Sequence, residues 1–215
     1  MIYSENILLC IALPLLLSLF YTQGTTRHFL LAMFLGMLIC LVSSYISGFL
    51  TLHSHMTQSD SALYISPIVE EIMKLLPLLF CLIIFEPGEQ ELSVFAIGIG
   101  IGFATFENCC YLLFTGAEML TFTLVRGLAV GVMHVVCITA LSLSLIMVRR
   151  YRAFTLAGVS GALSLTVTFH ALYNLLVSRP GVTSYIGYAL PMVTALLFYW
   201  PFSKLQQNVK HQAES

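Results

Sequence analysis

Eight residues with reactive or strongly polar side chains lie inside long apolar runs: Glu70, Glu71, Lys74, Glu107, Arg126, His134, His170 and Asn174. Glutamates can take a proton from water. Histidines can give or accept one, or bind a metal, and a lysine can hold a carboxylate charged. Glu70 and Lys74 are four residues apart and Glu71 and Lys74 three, so on a helix the lysine can neutralise one of the two glutamates. Neighbouring helical residues differ by about 100° around the axis. Glu70 and Glu71 therefore cannot both face one centre, and one does chemistry while the other pairs or orients. His170 and Asn174, four apart, share a helix face.

These groups must be positioned by membrane helices. The 215 residues are 59% hydrophobic and only 9% charged, where a soluble domain carries about a quarter. Apolar stretches of about twenty residues match a hydrocarbon core of roughly 30 Å at 1.5 Å rise per residue. The pattern predicts an all-α, polytopic transmembrane bundle of about seven spans, near 7–21, 29–50, 63–85, 92–114, 122–148, 153–177 and 182–200. Turn residues separate them, including Glu86-Pro87-Gly88 and Arg179-Pro180-Gly181; the stretch from His53 to Asp60 reads as a loop. Arg27, Arg149, Arg150, Arg152, Lys204 and Lys210 fall on one side, which places the N-terminus outside and the C-terminus inside. The first run is read as a retained span, since no basic residue precedes it and no small-residue cleavage site follows. Residues 1–215 form a single transmembrane domain with a catalytic core near 63–177. The six cysteines sit in apolar runs and read as small buried hydrophobes. A net charge of −1 offers no basic field for nucleic acid. Gly98 and Gly102, four apart, suit close helix packing in lipid.

A charged residue at mid-span costs roughly 3 kcal/mol, so five left unpaired would cost about 15 kcal/mol. That exceeds a typical net stability of about 5–15 kcal/mol. The groups must pair, change protonation or face a wet cavity. Depth allows them to meet. Counted from the outer end of each span, Glu70, Glu71, Glu107 and His170 lie about eight residues in and His134 about thirteen, which agrees within roughly 8 Å. Four helices thus bring their polar groups to one layer in the outer half of the membrane.

These residues also resemble a known family. Glu70-Glu71-Ile72-Met73-Lys74 resembles the EExxK motif of the PrsW family of intramembrane proteases. Phe103-Ala104-Thr105-Phe106-Glu107, followed by Asn108, resembles its FxxxE motif, and Arg126 with His134 resembles its arginine-to-histidine helix. His170 through Asn174 resembles its last motif, which ends in aspartate or asparagine. The related type II CAAX prenyl endopeptidases carry EExxxR and FxxxH. Lysine at position 74 and glutamate at 107 favour the PrsW branch. The resemblance implies a multi-pass protein of a bacterial cytoplasmic membrane. It would cleave a single-span membrane protein, such as an anti-sigma factor, near its extracytoplasmic side.

Two chemistries suit such a set. Without metal, Glu70 or Glu71 activates water while His134 and His170 stabilise the oxyanion and Asn174 assists. With zinc, Glu107, His134 and His170 are the ligands and Glu70 or Glu71 is the base. No HExxH forces the zinc version. Lys74, Arg126 and Phe103 support, as ion-pair partner, interfacial or glutamate-pairing cation, and packing residue. An ion-coupled transporter or proton channel would also place such groups at mid-membrane, though it more often shows matched broken helices, which are absent from this sequence. A non-catalytic scaffold would keep the bundle and lose the chemistry, yet here every candidate group is present.

Overall fold

The computed structural model describes residues 4–115, 119–151, 155–179 and 181–213. Its eight helices are α1 (Ser4–Ser18), α2 (Gly24–Ser54), α3 (Gln58–Tyr64), α4 (Ser66–Phe85), α5 (Glu89–Thr115), α6 (Leu120–Tyr151), α7 (Thr155–Val177) and α8 (Val182–Ala213). No strand occurs among the described residues. Arg152 and Ala153 lie outside the described residues, as do the side chains of Trp200, Lys204 and Lys210.

Among the described residues, four helices, α2, α5, α6 and α7, are long and apolar enough to cross a membrane. The solvent for which α4 is built shows in its two faces. Glu71, Lys74 and Leu78 are buried, whereas Ile68, Ile72, Leu76 and Phe80 are exposed. A helix with its charges inward and its large apolar side chains outward is inverted relative to a water-soluble one, and lipid is the surroundings that suit it.

The expected loop before α4 contains the short helix α3. Thr57 caps it, accepting from the Asp60 backbone N–H at 3.1 Å and donating its hydroxyl to the Asp60 carboxylate at 2.7 Å. This reciprocal cap is a helix-start signal that the sequence carried in Thr57-x-x-Asp60. Pro67, in the first turn of α4, accounts for the division from α3, because a proline lacks the N–H that an uninterrupted helix would use there.

The tightest seam joins α2 to α5. A methyl group on Gly102 would lie 1.9 Å from the Met33 carbonyl oxygen, and one on Gly36 would lie 2.1 Å from that of Ile99. Backbone thus touches backbone, as small residues permit in lipid. Gly102→Ala is expected to destabilise the bundle by about 1–3 kcal/mol, because the obstacle is backbone and the helices must separate. Unfolding in detergent checks this, and wild-type stability would contradict it. The seam also sets the height of Phe103, which is next in the chain after Gly102.

Candidate active site

Helices α4, α5, α6 and α7 pack on one another and send their ionisable residues to a common centre. Lys74 lies in the middle, fully buried. Its ammonium donates to Glu71 Oε1 at 2.7 Å and to His134 Nδ1 at 2.7 Å. It also stands 4.4 Å from the centre of the Phe103 ring. All three N–H donors are thus engaged, two by hydrogen bonds and one by an aromatic face. Phe103 therefore does more than pack, since the same ring tilts against His134 with centroids 4.7 Å apart.

The partners settle the protons on both imidazoles. An ammonium can only donate, so His134 Nδ1 accepts and its proton sits on Nε2. That Nε2 donates to Glu107 Oε2 at 2.5 Å. His170 Nδ1 lies 2.8 Å from Glu71 Oε1, and since a carboxylate accepts, Nδ1 carries the proton there. His170 Nε2 is left as a lone pair, 3.8 Å from Glu70 Oε2. The two histidine rings meet edge to face with centroids 5.2 Å apart.

The two adjacent glutamates divide as the helix geometry requires. Glu71 is fully buried and holds Lys74 and His170. Glu70 is 17% exposed, and its Oε2 is buried with no protein hydrogen-bond partner. Glu107, 33% exposed, is the most open member, and its other oxygen lies 3.8 Å from Arg126. Arg126 donates to Asn108 Oδ1 at 2.7 Å and covers the Tyr111 ring at 3.3 Å. Asn108 in turn donates to the Gly127 carbonyl, fastening α5 to α6 at the rim of the site.

Glu70, Glu71, Lys74, Phe103, Glu107, His134 and His170 thus come together, with Arg126 at the edge. Asn174 does not join them; its amide donates to the Ala62 carbonyl at 2.9 Å, tying α7 to α3. The carboxylate grouped with both histidines is that of Glu70, where the expected ligand set had Glu107. Ligand atoms of Glu70, His134 and His170 lie within 4.8 Å of one another, whereas Glu107 turns its oxygens to His134 Nε2 and Arg126. Two features went unread in the sequence. One is the Lys74–His134 contact. The other is Tyr173, three residues past His170, whose buried hydroxyl has no protein partner.

The donor chemistry fits a divalent ion. Glu70 Oε2 and His170 Nε2 are both acceptors, and they face each other with nothing to donate between them. Two imidazoles and a carboxylate would make a hydrolytic zinc set with an open position once His134, whose Nε2–H donates to Glu107, gave up that proton. Glu71 on His170 Nδ1 is the outer partner that such a ligand uses.

Carboxylates and imidazoles gathered inside a lipid-facing bundle are the groups that a membrane-embedded hydrolase would use. A family model described as PrsW family intramembrane metalloprotease matches residues 24–201, well over half of the chain. The chain belongs to this family and is an intramembrane protease. No curated protein and no solved structure gives a significant match.

Proposed function

We propose that the protein cleaves a single-span membrane protein, such as an anti-sigma factor, near the extracytoplasmic face of a bacterial cytoplasmic membrane. Helices α1, α2 and α4 to α8 are the seven spans, with the N-terminus outside and the C-terminus inside. Arg27, Arg149 and Arg150 support this orientation, since they fall at one end of the bundle. The site belongs to the other end, towards the first turns of α4 and the last turns of α7.

One observation carries the hydrolytic reading: the facing lone pairs of Glu70 Oε2 and His170 Nε2. Whatever lies between two acceptors must donate a hydrogen or be a cation. A water there donates to Glu70, which takes its proton as the oxygen attacks the scissile carbonyl. Glu71 fixes the His170 ring, and Lys74 fixes the proton of His134 on Nε2. Glu70 then gives the proton it took to the leaving amine, while Glu107, open to the outside, holds the His134 Nε2–H in place. Glu70, His134 and His170 are the residues that would hold a divalent ion. His134 would take part by passing its Nε2 proton to Glu107. Such an ion supplies a Lewis acid for the carbonyl and a more acidic bound water.

The test reconstitutes the purified protein in nanodiscs with single-span substrates whose labile segment is placed at different depths. Cleavage is expected only when that segment lies near the outer face, and metal analysis is expected to find bound ion lost in His170→Ala. Ion-coupled flux without proteolysis, or cleavage indifferent to depth, would overturn the reading.

A further inference from the structure

Hydrolysis at a lipid-enclosed centre needs water, and one helix face is built to carry it. The buried face of α2 runs Gly36, Cys40, Ser43, Ser47, Thr51. It changes from apolar to hydroxylated at the height of the site. Gly36 abuts the Phe103 backbone where α2 and α5 run parallel, so Cys40, one turn on, comes to about the height of Glu107, one turn past Phe103. From there the hydroxyls continue to α3, where Thr51 Oγ1 and Ser61 Oγ share a hydrogen bond.

Ser43 and Ser47 are 1% and 7% exposed, and neither hydroxyl has a partner. Serines and threonines in this bundle ordinarily donate back to their own helix, as Ser44, Thr51, Ser93 and Thr105 do. Ser43 and Ser47 do not. A buried hydroxyl without a protein partner is costly unless water meets it. Hydroxyls four residues apart are about 6 Å apart along a helix, close to two hydrogen-bond lengths, so one water spans each interval. α4 runs back alongside α2. From Ser61 to Glu70 is nine residues and from Thr51 to Ser43 is eight, so Ser43 comes level with Glu70 and its unpartnered Oε2.

We propose that Ser43, Ser47, Thr51 and Ser61 line a single-file water path from the α3 end of the bundle to Glu70. The inference rests on the hydrolytic reading above and adds the source of the reacting water. Ser43→Cys and Ser47→Cys, in nanodiscs, are treated with a small membrane-permeant alkylating reagent and compared with Val42→Cys and Ile46→Cys. Residues 42 and 46 lie at the same depth but are exposed on the outside of the bundle. A thiol reacts as the thiolate, which forms only where water reaches. The buried positions 43 and 47 are expected to label at least about tenfold faster than the lipid-facing pair; equal or slower labelling overturns the path. This reading needs no substrate, so it stands or falls apart from proteolysis. In the cleavage assay, Ser43→Ala/Ser47→Ala is expected to lower kcat about tenfold at unchanged KM, with Ser47→Thr retaining activity. An unchanged kcat, or a change in KM alone, counts against the path.

Discussion

Glu70→Gln is expected to abolish measurable cleavage, lowering kcat/KM by about 10²–10⁴-fold, while the bundle stays folded. The two halves of this expectation have separate causes. Glutamine keeps the shape but has no basic oxygen with which to take a proton from water or hold a cation. The fold loses little, because Glu70 Oε2 has no protein hydrogen bond to forfeit. The amide can even donate towards His170 Nε2, filling the gap between two acceptors. The measurement pairs kcat/KM on a single-span substrate with thermal unfolding in detergent. A folded and fully active Glu70→Gln protein would remove Glu70 from the reaction. Glu71→Gln is the informative contrast, since it weakens the hold on Lys74 and His170 together and should lose stability as well as activity.

The two neighbouring glutamates also show how far sequence reasoning reaches. The rotation between adjacent helical residues required that they differ in role, and the structure separates them into a fully buried residue whose Oε1 holds Lys74 and His170 and a partly open one that faces His170 Nε2, although Oε2 of each has no protein partner. Depth counting likewise brought α4, α5, α6 and α7 to one layer. It stops short of a partner list. Rise per residue places a side chain within a turn, but the rotamer and the roll of the helix decide which atom it meets. Depth alone thus puts Glu107 beside both histidines and Asn174 in the site, whereas the structure groups Glu70 with them and turns Asn174 to the Ala62 carbonyl. Lys74 was legible in principle. It lies about one turn deeper than Glu70, and the greater depth of His134 matched it. Reading lysine only as the partner of its own helix hid the contact. The serines of α2 escaped for another reason: a serine in an apolar helix ordinarily donates to its own backbone, and only the coordinates reveal that Ser43 and Ser47, like Ser142 of α6, do not.

Removing the lysine should have the largest effect on the fold. Lys74→Met is expected to destabilise the protein by about 3–5 kcal/mol and to eliminate cleavage. Methionine matches the length and apolar stem of lysine, so packing against Phe103 survives; the loss is electrostatic. Glu71 is left fully buried with only the His170 N–H to neutralise it, and His134 Nδ1 loses its donor. With that donor gone, Glu107 alone holds the His134 proton on Nε2. Lys74→Arg should rescue poorly, because a planar guanidinium cannot direct separate donors to a carboxylate, an imidazole and a ring within this space. The double variant Lys74→Met/Glu71→Leu separates fold from function. Replacing both partners of a buried ion pair removes the uncompensated charge, so stability should return towards wild type. His170 would still lack the carboxylate that fixes its ring, so cleavage should remain absent. Unfolding in detergent measures the first outcome and the single-span substrate assay the second. Stability that stayed low in the double variant would mean that the pair works through packing, and activity that returned would mean that His170 needs no positioning by Glu71.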